Sequence, residues 1–298
     1  MAGVIEIVEK EFSTHLSSKR FYILFFIIYF LSLGVAYTTI PNIMNGLTRV
    51  GDKAIFLKMF TTAPSDVGIS LLQFFSIFGP ILGFILTFDA INSEISEGTL
   101  HVSLSQPIHR DSLVNGKFLA GVLAIAVFLT VSVFSIVGIG LSAFKMPLPL
   151  GELLRIGTFW GLSIVYFALW ASLGLLFSIM IRRPSTSALA SVAVWLFFSI
   201  FIYMFGGVMG RLGISRTILM RLSPPFLYTQ ASSIILAPKL RFVGPVTMEE
   251  LIGMVPNPLS FLESLSIIWP QVVSIIAGML ILFLISYWLF MKREIRPT

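Results

Sequence analysis

Charged and conformationally special residues are concentrated in one stretch of an otherwise apolar chain, residues 91–118, INSEISEGTLHVSLSQPIHRDSLVNGKF. Glu94, Glu97 and His101 follow the spacing i, i+3 and i+7, so a helix would present all three on one face. Carboxylates arranged in this way can form ion pairs with a basic partner surface. Composition alone also fits a solvated hairpin between two helices, and both interpretations stay open at this point.

The same stretch contains residues that break and restart a helix. Gly98 permits another backbone to approach closely, and Pro107 suits the first turn of a second helix that continues through Arg110. A helix, a break and a second helix would form a rigid contact element.

A nucleotide-binding loop is absent from this stretch. Gly116-Lys117 is followed by Phe118 where a phosphate loop needs Ser or Thr, and Asp111 stands where its first glycine would be. We therefore expect no ATP binding by this chain, and we expect Lys117 to reach the lipid headgroups at the start of a membrane span.

Other catalytic and metal-binding arrangements are also missing from the sequence. The chain has no cysteine, which excludes disulfides, thiol catalysis and thiolate metal sites. His15, His101 and His109 do not have the H-E-x-x-H spacing of a metalloprotease. These observations predict a protein that is not an enzyme and that holds no cofactor of its own.

The composition identifies a membrane protein. Of 298 residues, 56% are hydrophobic and 11% are charged, whereas about a quarter are charged in soluble domains. Long uncharged intervals, each able to cross about 30 Å of hydrocarbon as a helix, lie at residues 21–41, 67–88, 118–144, 156–181, 184–210 and 264–291. We predict an all-α integral membrane protein with six transmembrane helices, forming a single transmembrane domain over residues 1–298.

Two further segments are expected not to span the membrane. Residues 222–238, within a long extracytoplasmic loop at 211–263, are short, polar and bounded by prolines, which favours a re-entrant or interfacial segment over a seventh span. Residues 1–20 place five apolar residues on one side of a helical wheel: Val4, Ile5, Val8, Phe12 and Leu16. This pattern predicts an amphipathic helix on the membrane surface.

The orientation follows from the basic residues. Lys and Arg are equally numerous on the two sides, but the long loop at 211–263 lies near the length at which the positive-inside rule loses force. The tight basic pairs Lys19-Arg20, Arg182-Arg183 and Lys292-Arg293 all adjoin span ends on the side of the termini. We therefore expect both termini, and the loop at 91–117, to be cytoplasmic in a multi-pass protein of the cell membrane.

A set of residues between positions 88 and 118 resembles the exporter-type permease family of ABC transporters, the type-two ABC permeases. The matching residues are Phe88-Asp89, Ile91-Asn92, Glu94, Glu97-Gly98-Thr99-Leu100, Ser105-Gln106-Pro107, Arg110 and Gly116-Lys117-Phe118. The C-terminal YWLFMKREIR is similar to the end of that family's chains. Family members often carry an acidic residue after Gly-Thr-Leu, whereas this chain has His101.

The resemblance implies that residues 91–117 are a coupling loop that docks on a separate ATPase subunit, which would bind the ATP and Mg²⁺. The implied coupling residues are Glu94, Glu97, Gly98, Thr99, Leu100, Gln106, Pro107, Arg110 and Lys117. It also implies a homodimer of permeases, joined through the first and fifth spans. Glycines at four-residue spacing, Gly79/Gly83, Gly157/Gly161 and Gly206/Gly210, would allow close helix contacts.

Two other functions stay open. A secondary transporter that works without ATP would need ionisable groups inside its spans, and the predicted spans contain essentially none. A membrane enzyme or scaffold would need a catalytic constellation or a further domain. The uncharged, Phe-rich spans favour an apolar, amphiphilic or lipid-like cargo, and we expect membrane lipid, but no nucleic acid, among the partners.

Overall fold

The computed structural model describes residues 2–47, 54–64, 67–98, 110–211, 220–237 and 259–292. Within these ranges the chain is helical and contains no β-strand. The helices are α1 (Ala2–Ser17), α2 (Lys19–Leu47), α3 (Ile55–Thr61), α4 (Leu71–Ile85), α5 (Asn92–Ser96), α6 (Arg110–Phe144), α7 (Leu150–Met180), α8 (Pro184–Leu196), α9 (Ile202–Arg211), α10 (Pro224–Leu236) and α11 (Phe261–Lys292). A π-helical turn, Phe197–Phe201, joins α8 to α9 without a break.

Five helical segments in the described residues are long and apolar enough to cross a membrane: α2, α6, α7, α11 and the continuous segment from Pro184 to Gly206. The remaining predicted span, residues 67–88, forms only the 15-residue helix α4. A helix of that length is about 22 Å long, which is short for a hydrocarbon layer of about 30 Å. The all-helical membrane fold is therefore confirmed, whereas the count of six spans is not.

Helix α7 is the centre of the bundle. In its most apolar window 78% of the residues are buried, compared with 11% in α11 and 12% in the segment Pro184–Gly206. It packs most extensively on α11 and α4, and it also contacts α6, α8 and α10. Large side chains that are fully buried, including Trp170, Tyr166 and Phe159, fill the space around it.

Glycines let α4 and α7 approach each other closely. A Cβ atom on Gly174 of α7 would lie 2.8 Å from the carbonyl oxygen of Phe84, and one on Gly83 of α4 would lie 2.8 Å from Cβ of Trp170. Gly79 faces the ring of Phe167 in the same interface. The Gly79/Gly83 pair thus packs within one chain, whereas Cβ atoms on Gly157 and Gly161 would meet no atom within 4 Å.

Two charged residues in the first two turns of α7 organise one end of the bundle. The Glu152 carboxylate accepts hydrogen bonds from the Phe56 and Leu57 amides, 2.9 and 3.2 Å away, and so caps the start of α3. The Arg155 guanidinium donates to the carbonyl oxygens of Ile235 and Leu259 at 2.8 and 3.0 Å. One turn of α7 therefore holds α3, the end of α10 and the start of the last long helix.

Helix α10 extends from this end of the bundle toward its middle. Its Tyr228 hydroxyl lies 2.8 Å from Ser163 Oγ, and the Tyr228 ring stacks on Tyr166 with centroids 4.2 Å apart. Just before the helix begins, the Ser223 hydroxyl donates to the Phe198 carbonyl at 2.9 Å, within the π-helical turn. Helix α10 is 13 residues long and ends beside Arg155. Its assignment as a re-entrant segment stays a prediction.

The close approach of α4 and α7 gives a matched pair of substitutions on one helix. Gly174→Ala should destabilise the fold by about 1–3 kcal/mol, because the backbone of α4 cannot move away from the new methyl group. Gly157→Ala, which points into open space, should stabilise it by about 0.5–1 kcal/mol through helix propensity. Thermal unfolding of both purified variants in one detergent tests this, and equal stability of the two would contradict the contact.

Candidate functional site

The segment between α4 and α5 is fixed to the far end of α7 through its backbone. The Thr87 hydroxyl donates to the Ala171 carbonyl at 2.6 Å. Ser178 Oγ accepts hydrogen bonds from the Ile91 and Asn92 amides at 2.8 and 3.2 Å, so a side chain of α7 caps the start of α5. Because its backbone groups are satisfied by α7, the position of α5 depends directly on that helix.

Two further hydrogen bonds complete this attachment. The side-chain amide of Asn92 donates through Nδ2 to the Ile181 carbonyl at 3.2 Å, at the C-terminal end of α7. The Ser187 hydroxyl of α8 donates to the Phe88 carbonyl at 2.8 Å. The segment from Phe88 to Asn92 therefore contacts both helices that flank the basic pair Arg182-Arg183.

The outer end of α5 is exposed. The Glu97 amide donates to the Ser93 carbonyl at 2.9 Å, and Gly98 ends the helix with φ +72°, a left-handed conformation that glycine adopts without strain. Ser96, Glu97 and Gly98 are exposed, and a Cβ atom on Gly98 would meet nothing within 4 Å. Within the described residues, the exposed end of α5 thus presents backbone and a carboxylate.

A buried lysine, Lys117 of α6, links its own helix to α1 and α5. The Lys117 Nζ atom lies 2.7 Å from Glu94 Oε1 of α5 and 2.9 Å from Glu11 Oε1 of α1. The Lys117 side chain is 5% exposed, and those of Glu11 and Glu94 are 16% and 17% exposed. We call Glu11, Glu94 and Lys117 the ion-pair triad. Charges at this degree of burial are weakly screened, so the triad holds α1, α5 and α6 in one arrangement.

Helix α1 lies directly on the first turns of α6. A Cβ atom on Gly116 would be 2.5 Å from Cγ2 of Ile7, so only glycine leaves room for the two helices at this distance. Ile7 is buried, whereas Ile5 is 67% exposed. A helix is therefore present at the N-terminus, and it packs Ile7, Glu11, Phe12 and Leu16 inward. Its position on the membrane surface stays a prediction.

A second ion pair and a histidine adjoin the triad. Arg20 Nη1, at the start of α2, lies 2.7 Å from Asp89 Oδ2 in the segment before α5. Burial lowers the pKa of His15, an effect that the nearby Glu11 and Asp89 oppose and Lys117 reinforces. Because the folded state binds a proton on His15 less readily than the unfolded chain, its contribution to stability falls as the pH drops below about 6.5.

The structure places five of the predicted coupling residues and leaves four outside its described ranges. Glu94 and Lys117 lie in the triad, Glu97 and Gly98 form the exposed end of α5, and Arg110 is exposed at the first residue of α6. Thr99, Leu100, Gln106 and Pro107 lie outside the described residues, as does His101. The expectation that Lys117 reaches the headgroups is wrong, because Glu11 and Glu94 neutralise it inside the protein.

Several residues of the site were not identified from the sequence. Glu11 and Ser178 carry no motif, and their partners lie far away in the chain. Asn92 stood within the family resemblance, but nothing in the sequence indicated its bond to the Ile181 carbonyl. Asp89 stood within the family resemblance, but nothing in the sequence indicated its pairing with Arg20. In the described residues no group of three or more His, Asp or Glu side chains could hold a metal ion.

Comparison with known proteins identifies the family of the chain. A family model described as "ABC-2 family transporter protein" matches residues 5–295. A protein of Pseudomonas aeruginosa described as "Probable ABC transporter permease protein NosY" is 26% identical over 199 residues, which cover 66% of this chain and 67% of that protein. The family match includes nearly all of α1, the segment that forms α5, and every long helix, so the chain belongs to the ABC-2 family of transporter proteins.

Proposed function

We propose that this chain is the membrane-spanning subunit of an ATP-driven exporter, and that it forms the translocation path and docks through residues 91–117 on a separate ATPase subunit. ATP and Mg²⁺ would bind to that partner, and the chain itself would be non-catalytic. Membership of a family of ABC transporter permeases supports a membrane subunit of such a transporter. The docking, the ATP coupling and the outward direction belong to the proposal.

The observation that carries the proposal is the way α5 is held. Its inner side is fixed by Ser178 and by the ion-pair triad, while Glu97 and Gly98 at its other end are exposed. A helix of five residues is not stable by itself, because so few hydrogen bonds cannot offset the cost of ordering it. Such a segment is suited to receive a push from a partner and to transmit it to α7.

The charge distribution favours this function over a secondary transporter. Every acidic or basic side chain of the five spanning helices lies within about two turns of a helix end, and the deepest of them are Lys117 and Arg155. Both are occupied by bonds to other helices. An ion-coupled carrier needs an ionisable group that binds or relays the ion inside the bundle.

The remaining features of the proposal follow the arrangement of the helices. We place both termini and α5 in the cytoplasm, α10 as a re-entrant helix on the opposite side, and the chain in the cell membrane. Apolar faces of α2 and of the segment Pro184–Gly206 are exposed, including Phe26, Phe30, Phe197 and Phe201. These faces fit a homodimer, and an apolar or amphiphilic cargo fits their side chains.

The first test concerns the exposed end of α5. Glu97→Gln should weaken co-purification of the ATPase subunit by about 2–5 kcal/mol, because an interfacial charge on the partner would lose its counter-charge. Glu9→Gln removes an exposed carboxylate outside the coupling loop and should cost about 0–1 kcal/mol. Equal co-purification of the ATPase with wild type, Glu97→Gln and Glu9→Gln, at matched expression, would contradict docking through Glu97.

Two substitutions at Gly98 distinguish a steric clash with a partner from strain in the backbone. Gly98→Leu adds a bulky side chain and also disfavours the left-handed backbone, whereas Gly98→Asn keeps a residue that tolerates this conformation. We expect Gly98→Leu to abolish ATPase-dependent transport and Gly98→Asn to retain more of it. If both variants transport like wild type in vesicles with the ATPase, no partner approaches this surface.

The ion-pair triad gives a prediction about positioning. Lys117→Met leaves two partly buried carboxylates without their cation and should destabilise the protein by about 3–5 kcal/mol. Adding Glu11→Gln and Glu94→Gln removes those charges and should restore most of the melting temperature. Thermal unfolding of the purified variants measures this. Unchanged stability of Lys117→Met would show that the triad does not hold these helices.

Topology can be tested directly because the chain lacks cysteine. Ser96→Cys in α5 should be protected from a membrane-impermeant maleimide in intact cells, whereas Ser260→Cys before α11 should react. Both positions are exposed in the fold, so burial does not explain a difference. Labelling of Ser96→Cys from outside would overturn the cytoplasmic position of the coupling loop.

A further inference from the structure

A groove with two cations lies at the same end of the bundle as α5. It measures about 390 Å³ and is lined by Ile179, Met180, Arg182, Leu289 and Lys292, where α7 and α11 end. These two helices pack against each other more extensively than any other pair of elements. The walls of the groove are therefore held in place by the main contact of the fold.

The groove combines positive charge with apolar walls. Arg182 and Lys292 are exposed, and neither forms an ion pair with a carboxylate in the part of the chain that the structure describes. The Lys292 Nζ atom lies 4.0 Å from the centre of the Trp288 ring, which directs the ammonium group along the face of α11. Each of the five lining residues is either basic or apolar.

We propose that this groove binds the headgroup of an anionic phospholipid. The Arg182 guanidinium can hold a phosphate through two parallel hydrogen bonds, and Lys292 adds a second charge on the other wall. Met180, 59% exposed, and Leu289 continue from the cations toward the membrane-spanning parts of α7 and α11, where an acyl chain would lie. Trp288, 54% exposed, has the amphipathic ring that favours the headgroup level.

A phospholipid fits this groove better than a soluble phosphate does. Free phosphate would use only the two cations, whereas a lipid also covers the apolar walls between them. Basic pockets between helices on the cytoplasmic side are the places where acidic headgroups bind to membrane proteins. A different account is that each cation simply complements the C-terminal dipole of its own helix, in which case the two would act independently and bind no ligand.

Native mass spectrometry of the full chain, titrated with phosphatidylglycerol or phosphatidylcholine in one detergent, tests the proposal. Wild type should bind one phosphatidylglycerol in preference to phosphatidylcholine. Arg182→Gln combined with Lys292→Gln should weaken the binding of phosphatidylglycerol by roughly 30-fold, from the contribution of two basic residues to anionic lipid binding. Lys10→Gln combined with Lys145→Gln removes the same charge from exposed sites outside the groove, and this control pair should leave the affinity for phosphatidylglycerol unchanged.

A charge-preserving exchange controls for folding. Arg182→Lys combined with Lys292→Arg should keep most of the preference, and all variants should elute as the wild type does in size-exclusion chromatography. The proposal would be overturned if the groove variant (Arg182→Gln with Lys292→Gln) and the control variant (Lys10→Gln with Lys145→Gln) lost the same affinity for phosphatidylglycerol. Equal binding of phosphatidylglycerol and phosphatidylcholine by the wild type would overturn it as well. Full competition by water-soluble glycerol phosphate would also overturn it, because the apolar walls would then contribute nothing.

Discussion

The ammonium group of Lys117 is the constraint on which the α5 end of the bundle depends. Removing one partner of a buried charge pair costs about 3–5 kcal/mol, so the fold must keep carboxylates beside this group. Glu11 and Glu94 meet that need from two different helices, α1 and α5. Helix α5, with five residues, could not hold its place through its own length, whereas α1 also packs extensively on α6. One charge thereby fixes the relative positions of three elements.

Polar groups along α7 also need partners within the protein, because the apolar interior of a membrane offers none for free backbone groups. At one end of α7, Glu152 and Arg155 bind the amides of α3 and the carbonyls at the end of α10. At its other end, Ser178 binds the amides of α5. The short helices are thus attached to a single long helix by polar bonds, while apolar contacts fill the space between them. Under the proposed function, these bonds are the route by which a displacement of α5 would reach α7 and α10.

The long apolar helices could be predicted because membrane insertion depends on local composition, and the break at Gly98 could be predicted from its residue type. The short length of α4 was harder to predict from the sequence. The Ser70 and Gln73 capping box, visible in the sequence, starts it late. Just after its end, the Thr87 hydroxyl donates to the Ala171 carbonyl of α7, a contact that no local pattern reveals. Lys117 was misplaced for a similar reason, since one of its partners is 106 residues away. Ion pairs between distant segments leave no periodic signal, whereas amphipathic helices do.

The filled core also limits where a cargo could pass under the proposed function. Trp170, Tyr166 and Phe128 are fully buried around α7, and protein interiors of this kind leave little free volume. A path through the middle of one chain would require these aromatic side chains to separate. The outer faces of α2 and of the segment Pro184–Gly206 already present phenylalanine rings without a covering element in the described chain. A second permease facing them would enclose a path that needs no opening of the core, and its walls would be apolar.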